Sequence, residues 1–148
     1  MDLDLLRRIK QLEGRLAELE THDLAAPDVF RTTPLTSTSW DGDAYSTTAK
    51  TKIDLSAVFS VPAGVRAVLA HTRIRDSGSA GGSYFLALSP NDTAGSGLTN
   101  RVEFVPNDTR LEQTMIVPCD SSGDIYYQIG ASDTGTMDVW IEIWGYWT

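Results

Sequence analysis

The sequence predicts a mostly β protein: an N-terminal parallel trimeric coiled-coil helix followed by an antiparallel β-sandwich head, jelly-roll-like in plan. Three observations lead there. An apolar seam with alternating gaps of four and three runs through the first two dozen residues. The helical period vanishes after Thr21. From about Tyr45 onward, short apolar runs are separated by Pro, Asn, Asp, Gly and Ser, with no second helical stretch. The implied organisation is a stalk over residues 1–22, an extended neck over 23–43 and a β head over 44–148.

In the stalk, Ile9 and Leu16 take the a positions, and Leu5, Leu12 and Leu19 take d. Arg8 and Arg15 then fall at g, and Glu13 and Glu20 at e. In a parallel assembly, g of one chain meets the e residue five positions on in its neighbour. Arg8 would meet Glu13 and Arg15 would meet Glu20, whereas antiparallel packing would oppose like charges. The seam stops at both ends, because Asp2 and Asp23 occupy the next a positions outward. Gly14 sits at the outward f position, costing about 1 kcal/mol of helix propensity without touching the seam. The alternative is an amphipathic helix folded onto its own domain. A helix this short is marginal alone, so a downstream contact is expected to help hold the chains together.

The neck carries Pro27, Pro34 and many Thr and Ser residues, so it reads as extended. Val29, Phe30, Leu35 and Trp40 suggest that it lies against the head, with room for a short edge strand. Tyr45 to Leu55 alternates, and Val61-Pro62-Ala63-Gly64 is a turn. Val65–Arg75, Tyr84–Ser89, Leu98–Val105, Leu111–Val117, Asp124–Ala131 and Met137–Trp147 read as further strands. In the last of these, Met137, Val139, Ile141 and Ile143 share one face. Strict alternation puts Trp140, Trp144 and Tyr146 on the other, with Glu142. A strand apolar on both faces is normally covered on both. The expectation is that this aromatic face packs on the neighbouring subunit, with a platform for stacking sugar rings as the alternative.

The totals exclude several classes. A net charge of −8 without a basic cluster argues against nucleic acid. Arg73 and Arg75 read as solvated or paired charges on a strand. No signal peptide or membrane-spanning run is expected, and one cysteine, Cys119, forms no intrachain disulfide. The two histidines, His22 and His71, occur without a nucleophile elbow, a phosphate loop or a His-Glu-x-x-His motif. The chain therefore reads as a non-enzyme with no cofactor and no metal. Asp41, Asp43, Asp76, Asp92, Asp108, Asp120, Asp124 and Asp133 all fall at expected turns, where Asp caps backbone amides. A calcium ion on Asp41 and Asp43 is the less favoured reading. The string Pro-Asn-Asp-Thr occurs at residues 90–93 and again at 106–109, consistent with successive turns of a strand meander.

Arg8-Ile9-Lys10-Gln11-Leu12-Glu13 and Arg15-Leu16-Ala17-Glu18-Leu19-Glu20 both resemble the trimer-favouring signature of short parallel coiled coils. With the Ser/Thr/Pro neck and β head, the chain resembles a short fibre or spike protein of a bacteriophage, either a tail fibre or a head fibre. That resemblance implies a homotrimer on the virion surface. It would be held to other virion proteins through its N-terminal end and present its head to a host-surface glycan. The stalk, about 30 Å at 1.5 Å per residue, is short for a long tail fibre. A capsid decoration trimer without a receptor is therefore the second reading, and a glycan-cleaving head the third. If successive strands alternate and Tyr45–Leu55 leads away from the stalk, the far end carries loops 56–64, 90–97 and 119–123. Asn91, Asp92, Thr93, Asp120 and Ser121 are then the expected receptor contacts.

Overall fold

The computed structural model describes residues 4, 6–13 and 27–148. Residue 4 and the run 6–13 (α1) are helical, and every one of these positions is exposed. The expectations for Leu5, Gly14, Arg15, Leu16, Leu19 and Glu20, and for the neck before Pro27, lie outside the described residues.

The body is β-rich and antiparallel throughout, in two sheets. One contains β1 (Val29–Leu35), β2 (Asp41–Tyr45), β4 (Ala67–Asp76), β7 (Arg110–Pro118) and β9 (Met137–Trp147). The other contains β3 (Thr51–Ile53), β5 (Ser83–Ser89), β6 (Leu98–Glu103) and β8 (Ile125–Gly130). The first sheet runs β1-β9-β4-β7, with β2 also on β9, and the second runs β3-β8-β5-β6. From β2 to β9, only the β5–β6 hairpin stays within one sheet; every other connection changes sheet. The second Pro-Asn-Asp-Thr string therefore lies on a crossover from β6 to β7, which corrects the expectation of a simple meander.

One hydrophobic core lies between the sheets. Val68, Ala70 and Ile74 of β4 and Val139, Ile141 and Ile143 of β9 meet Leu86, Leu88, Val102, Ile125 and Ile129 of the other sheet. Burying such a side chain stabilises the fold by about 1.5–3 kcal/mol each. A polar clamp also crosses the core: Asn100 on β6 donates to the Thr72 hydroxyl on β4 at 3.1 Å. Both residues are buried, so the bond leaves neither group orphaned.

The sequence between Ile53 and Val65 holds a short helix, α2 (Leu55–Phe59), where alternation suggested a continuing strand and a turn. Asp54 caps it by accepting from Ala57 N at 2.9 Å, and Ser60 closes it in the left-handed conformation with φ 58°. Leu55 and Phe59, at i and i+4, turn inward and seal one end of the core with Val61 and Val65.

The expected neck is largely sheet. β1 and β2 pair successively along the same edge of β9, Phe30 opposite Gly145 and Tyr45 opposite Met137. Trp40, between them, is buried, stacked on Tyr45 at 4.9 Å and edge-on to Tyr127 at 4.8 Å. As expected, this segment lies against the body.

Candidate functional site

The two ends of the body can be told apart by the ladders. Ala67 lies opposite Pro118 and Trp147, while Asp76 lies opposite Met137. The end holding Pro27, α2 and loops 54–66, 90–97 and 119–124 is termed proximal. The distal end holds segments 46–50, 77–82, 104–109 and 131–136. The expected grouping of loops is thus found, and it lies at the end that holds Pro27. The chain first runs along β9 through β1 and β2, so Thr51–Ile53 leads back toward Pro27.

Asn91, Asp92, Thr93, Asp120 and Ser121 accordingly sit at the proximal end. Their loops are built by side-chain capping. Asn91 Oδ1 accepts from Thr93 N and from Ser96 Oγ, both at 3.1 Å. Asp120 Oδ1 accepts from Ser122 N at 2.8 Å and Asp124 N at 3.0 Å. Asp124, nearly buried, pairs with Lys52 at 2.7 Å and accepts from Leu55 N at 3.1 Å, fixing the start of α2. Burial opposes ionisation of Asp120, but the backbone donors and Lys52 outweigh it and hold the carboxyl below its ordinary range. The half-buried Cys119 thiol beside them is pushed up to about 12 by burial and the two carboxylates. A cleft of about 300 Å³ lined by Pro90, Asn91, Leu98, Ile116 and Pro118 opens at this end.

The most distinctive surface is the outer face of the five-stranded sheet, and its composition is graded along the strands. Toward the distal end it is a charge lattice. Arg75 pairs with Asp138, Arg73 with Glu142 at 2.8 Å and with Glu112 at 3.6 Å, and Arg110 with Glu112 at 3.3 Å. The reading of Arg73 and Arg75 as paired charges holds. Next, His71 Nδ1 meets Thr114 Oγ1 at 2.9 Å, with Glu112 3.6 Å from Nε2. Toward the proximal end the face turns apolar. Phe30, Gly145, Leu69 and Ile116 form one row across β1, β9, β4 and β7. Trp144 stands beside the row, its Nε1 donating to Glu142 Oε2 at 3.2 Å. Phe30 is 64% and Ile116 55% exposed, well above the level of a packed side chain. Phe30, Leu69, His71, Arg73, Thr114, Glu142 and Trp144 enclose a groove of about 310 Å³.

This face corrects the expected side of one residue. A β-bulge in β9 falls where Leu69 pairs with Gly145 but Ala70 pairs with Ile143, leaving Trp144 as the extra residue. Beyond it the alternation inverts, so Tyr146 pairs with the buried Val68 and packs on the core. Trp140 does lie on the outer side, but Gly42 covers its indole: a Cβ at Gly42 would sit 2.6 Å from the ring. Alternation along β4 sets Leu69, His71 and Arg73 opposite the core side. Phe30 could be placed only once the pairing of β1 with β9 was known.

Among the described residues, no cluster of three or more His, Cys, Asp or Glu side chains has the geometry to hold a metal ion. Among them, no helix is long and apolar enough to cross a membrane. No protein-family model matches the chain, and a search of curated proteins returns no relative.

Proposed function

We propose that the chain is a homotrimeric fibre or spike protein of a bacteriophage-type virion, joined through a parallel coiled coil and held to the particle by its N-terminal end. The observation that carries this is the uncovered seam. Ile9 and Leu12 are 43% and 64% exposed, so the chain's own body does not cover the apolar stripe of α1. That counts against an amphipathic helix folded onto its own domain. Among the described residues, Arg8 pairs with Asp4, at 3.7 Å and with both side chains solvated. Such a pair contributes little and leaves Arg8 available to Glu13 of a neighbour. The order of the two sheets supports reading the body as a jelly roll. Eight strands, β2 to β9, divide four to a sheet, and successive strands mostly change sheet.

In this reading, recognition of a host-surface glycan falls to the distal loops, because Pro27, the first described residue of the body, lies at the opposite end. Phe104 there is 70% exposed and holds φ 49°, a conformation that bulky residues rarely adopt. Asn107 and Asp108 lie beside it and become stronger candidates than Asn91 and Asp92.

The test measures the native mass of the full chain across a concentration series, beside an Ile9→Asp/Leu12→Asp variant. A parent trimer of about three times 16.2 kDa that the variant dissociates is the expected result. A monomeric parent would refute the assembly. For recognition, the trimer should attach saturably to some bacterial surface and lose attachment on Asn107→Ala but not on Asn91→Ala.

A further inference from the structure

Among the described residues, nothing covers the apolar half of the outer sheet face, and three features bear on its occupant. First, Pro27, where the described body begins, sits on this same face. Pro27 ring carbons lie 3.1 Å from where a Gly145 side chain would begin, and Gly145 belongs to the row Phe30–Gly145–Leu69–Ile116. Helices gathered on one axis would therefore draw these faces toward that axis. Thirteen residues separate Glu13 from Pro27, at most about 47 Å fully extended, so tethered bodies meet at high effective concentration.

Second, the polar groups beside the row are satisfied within the chain. Arg73 is matched by Glu142, Glu142 also takes the Trp144 N–H, and His71 bonds Thr114. Such a face can be covered without leaving an unpaired charge. Third, the short seam alone is a marginal source of trimer affinity.

We propose that Phe30, Leu69, Trp144 and Ile116 form the contact between bodies of neighbouring copies of this chain. The inference rests on the homotrimer reading and adds to it that the bodies are docked, so that the assembly has one central apolar contact below the helices. Trp144 and Phe30 would be its anchors, as large aromatic side chains are in subunit contacts generally.

The experiment uses the full chain. A Phe30→Asp/Ile116→Asp variant changes two exposed positions, so its circular dichroism should match the parent's. Its trimer should require at least about ten times the parent's concentration for half assembly, read by sedimentation equilibrium. A second readout guards against loss of folding. Hydroxyl-radical labelling of Phe30 and Trp144 should be weaker in the parent than in the Ile9→Asp/Leu12→Asp chain. A trimeric parent with unchanged half-assembly in the outer-face variant and unchanged labelling would overturn the docked bodies while leaving the coiled-coil trimer standing. The same labelling result, with a glycan that binds the parent and is lost on Trp144→Ala, would overturn it in favour of a sugar platform. A monomeric parent would overturn both.

Discussion

Asp76 offers a direct test of how the distal end is held. It is the last residue of β4, is fully buried, and its carboxylate ties two loops together. Oδ1 accepts from Gly78 N at 2.7 Å, and Oδ2 accepts from Ser132 N at 3.0 Å and from Thr136 Oγ1 at 3.2 Å. Asp76→Ala leaves two backbone N–H groups without an acceptor. The Thr136 hydroxyl keeps an alternative in the Asp133 carbonyl at 3.0 Å. Two orphaned donors, both half-buried and so at the lower end of about 1–3 kcal/mol each, predict a loss of about 2 kcal/mol. Asp76→Asn keeps one acceptor oxygen but turns an NH₂ toward the other donors, so about half that loss is expected. Urea denaturation at pH 7 and fixed protein concentration measures both, with the slope compared to confirm the same transition. Hydrogen exchange at Ser132 and Gly78 should accelerate in step. An Ala variant that loses less than about 1 kcal/mol would refute the claim that this carboxylate organises the distal loops.

Two further outcomes follow from local structure. Cys119 has its folded pKa raised from 9.0 to about 12, so at pH 8 its thiolate should be about 1,000-fold scarcer than in an unfolded chain, a ratio given directly by the difference in pKa. Alkylation by iodoacetamide should be slow until denaturant is added, and rapid labelling of the folded protein would contradict the burial. The sign also sets a pH window: a raised pKa contributes stability that is intact below pH 9 and lost as pH rises toward 12. The bulge in β9 predicts that Tyr146→Ala costs about 2 kcal/mol of stability through lost core packing. Thermal denaturation that leaves Tyr146→Ala level with the parent at equal oligomeric state would return Tyr146 to the outer face.

Much of this architecture is legible in the residues because half-buried strands leave a period of two. Met137–Trp147 is found with the bounds read from its alternation, and its inward set Met137, Val139, Ile141 and Ile143 is fully buried. Several turn carboxylates are equally readable, since Asp76, Asp120 and Asp133 accept from backbone amides as short polar side chains at turns do. By contrast, Asp41 and Asp43, read as turn residues, lie within β2, and Asp54, read as strand, caps α2. Other features escape for physical reasons. Alternation counts residues, so it cannot register the extra one at Trp144, and Tyr146 is assigned to the wrong side. Helix α2 spans five residues, too few for a helical period to show. β1 and β2 are rich in Thr, Pro, Asp and Gly, and only their partner β9 makes them strands. The candidate surface joins residues from four strands, a cross-strand adjacency that no local pattern encodes.

The position of β9 has a consequence for the order of events during synthesis. It is the last of the described strands to leave the ribosome, yet β1, β2 and β4 all pair with it. Until residues 137–147 emerge, β1 and β2 have no neighbour, and Val68, Ala70 and Ile74 lack their counterparts across the ladder. β1 must wait for 101 residues of intervening chain and β2 for 91, and such long-range pairing is slow. Maturation of the body is thus coupled to translation of its far segment. A nascent chain interrupted before Met137 would offer its apolar strands to chaperones and proteases, so chains that escape them would already carry the whole five-stranded sheet.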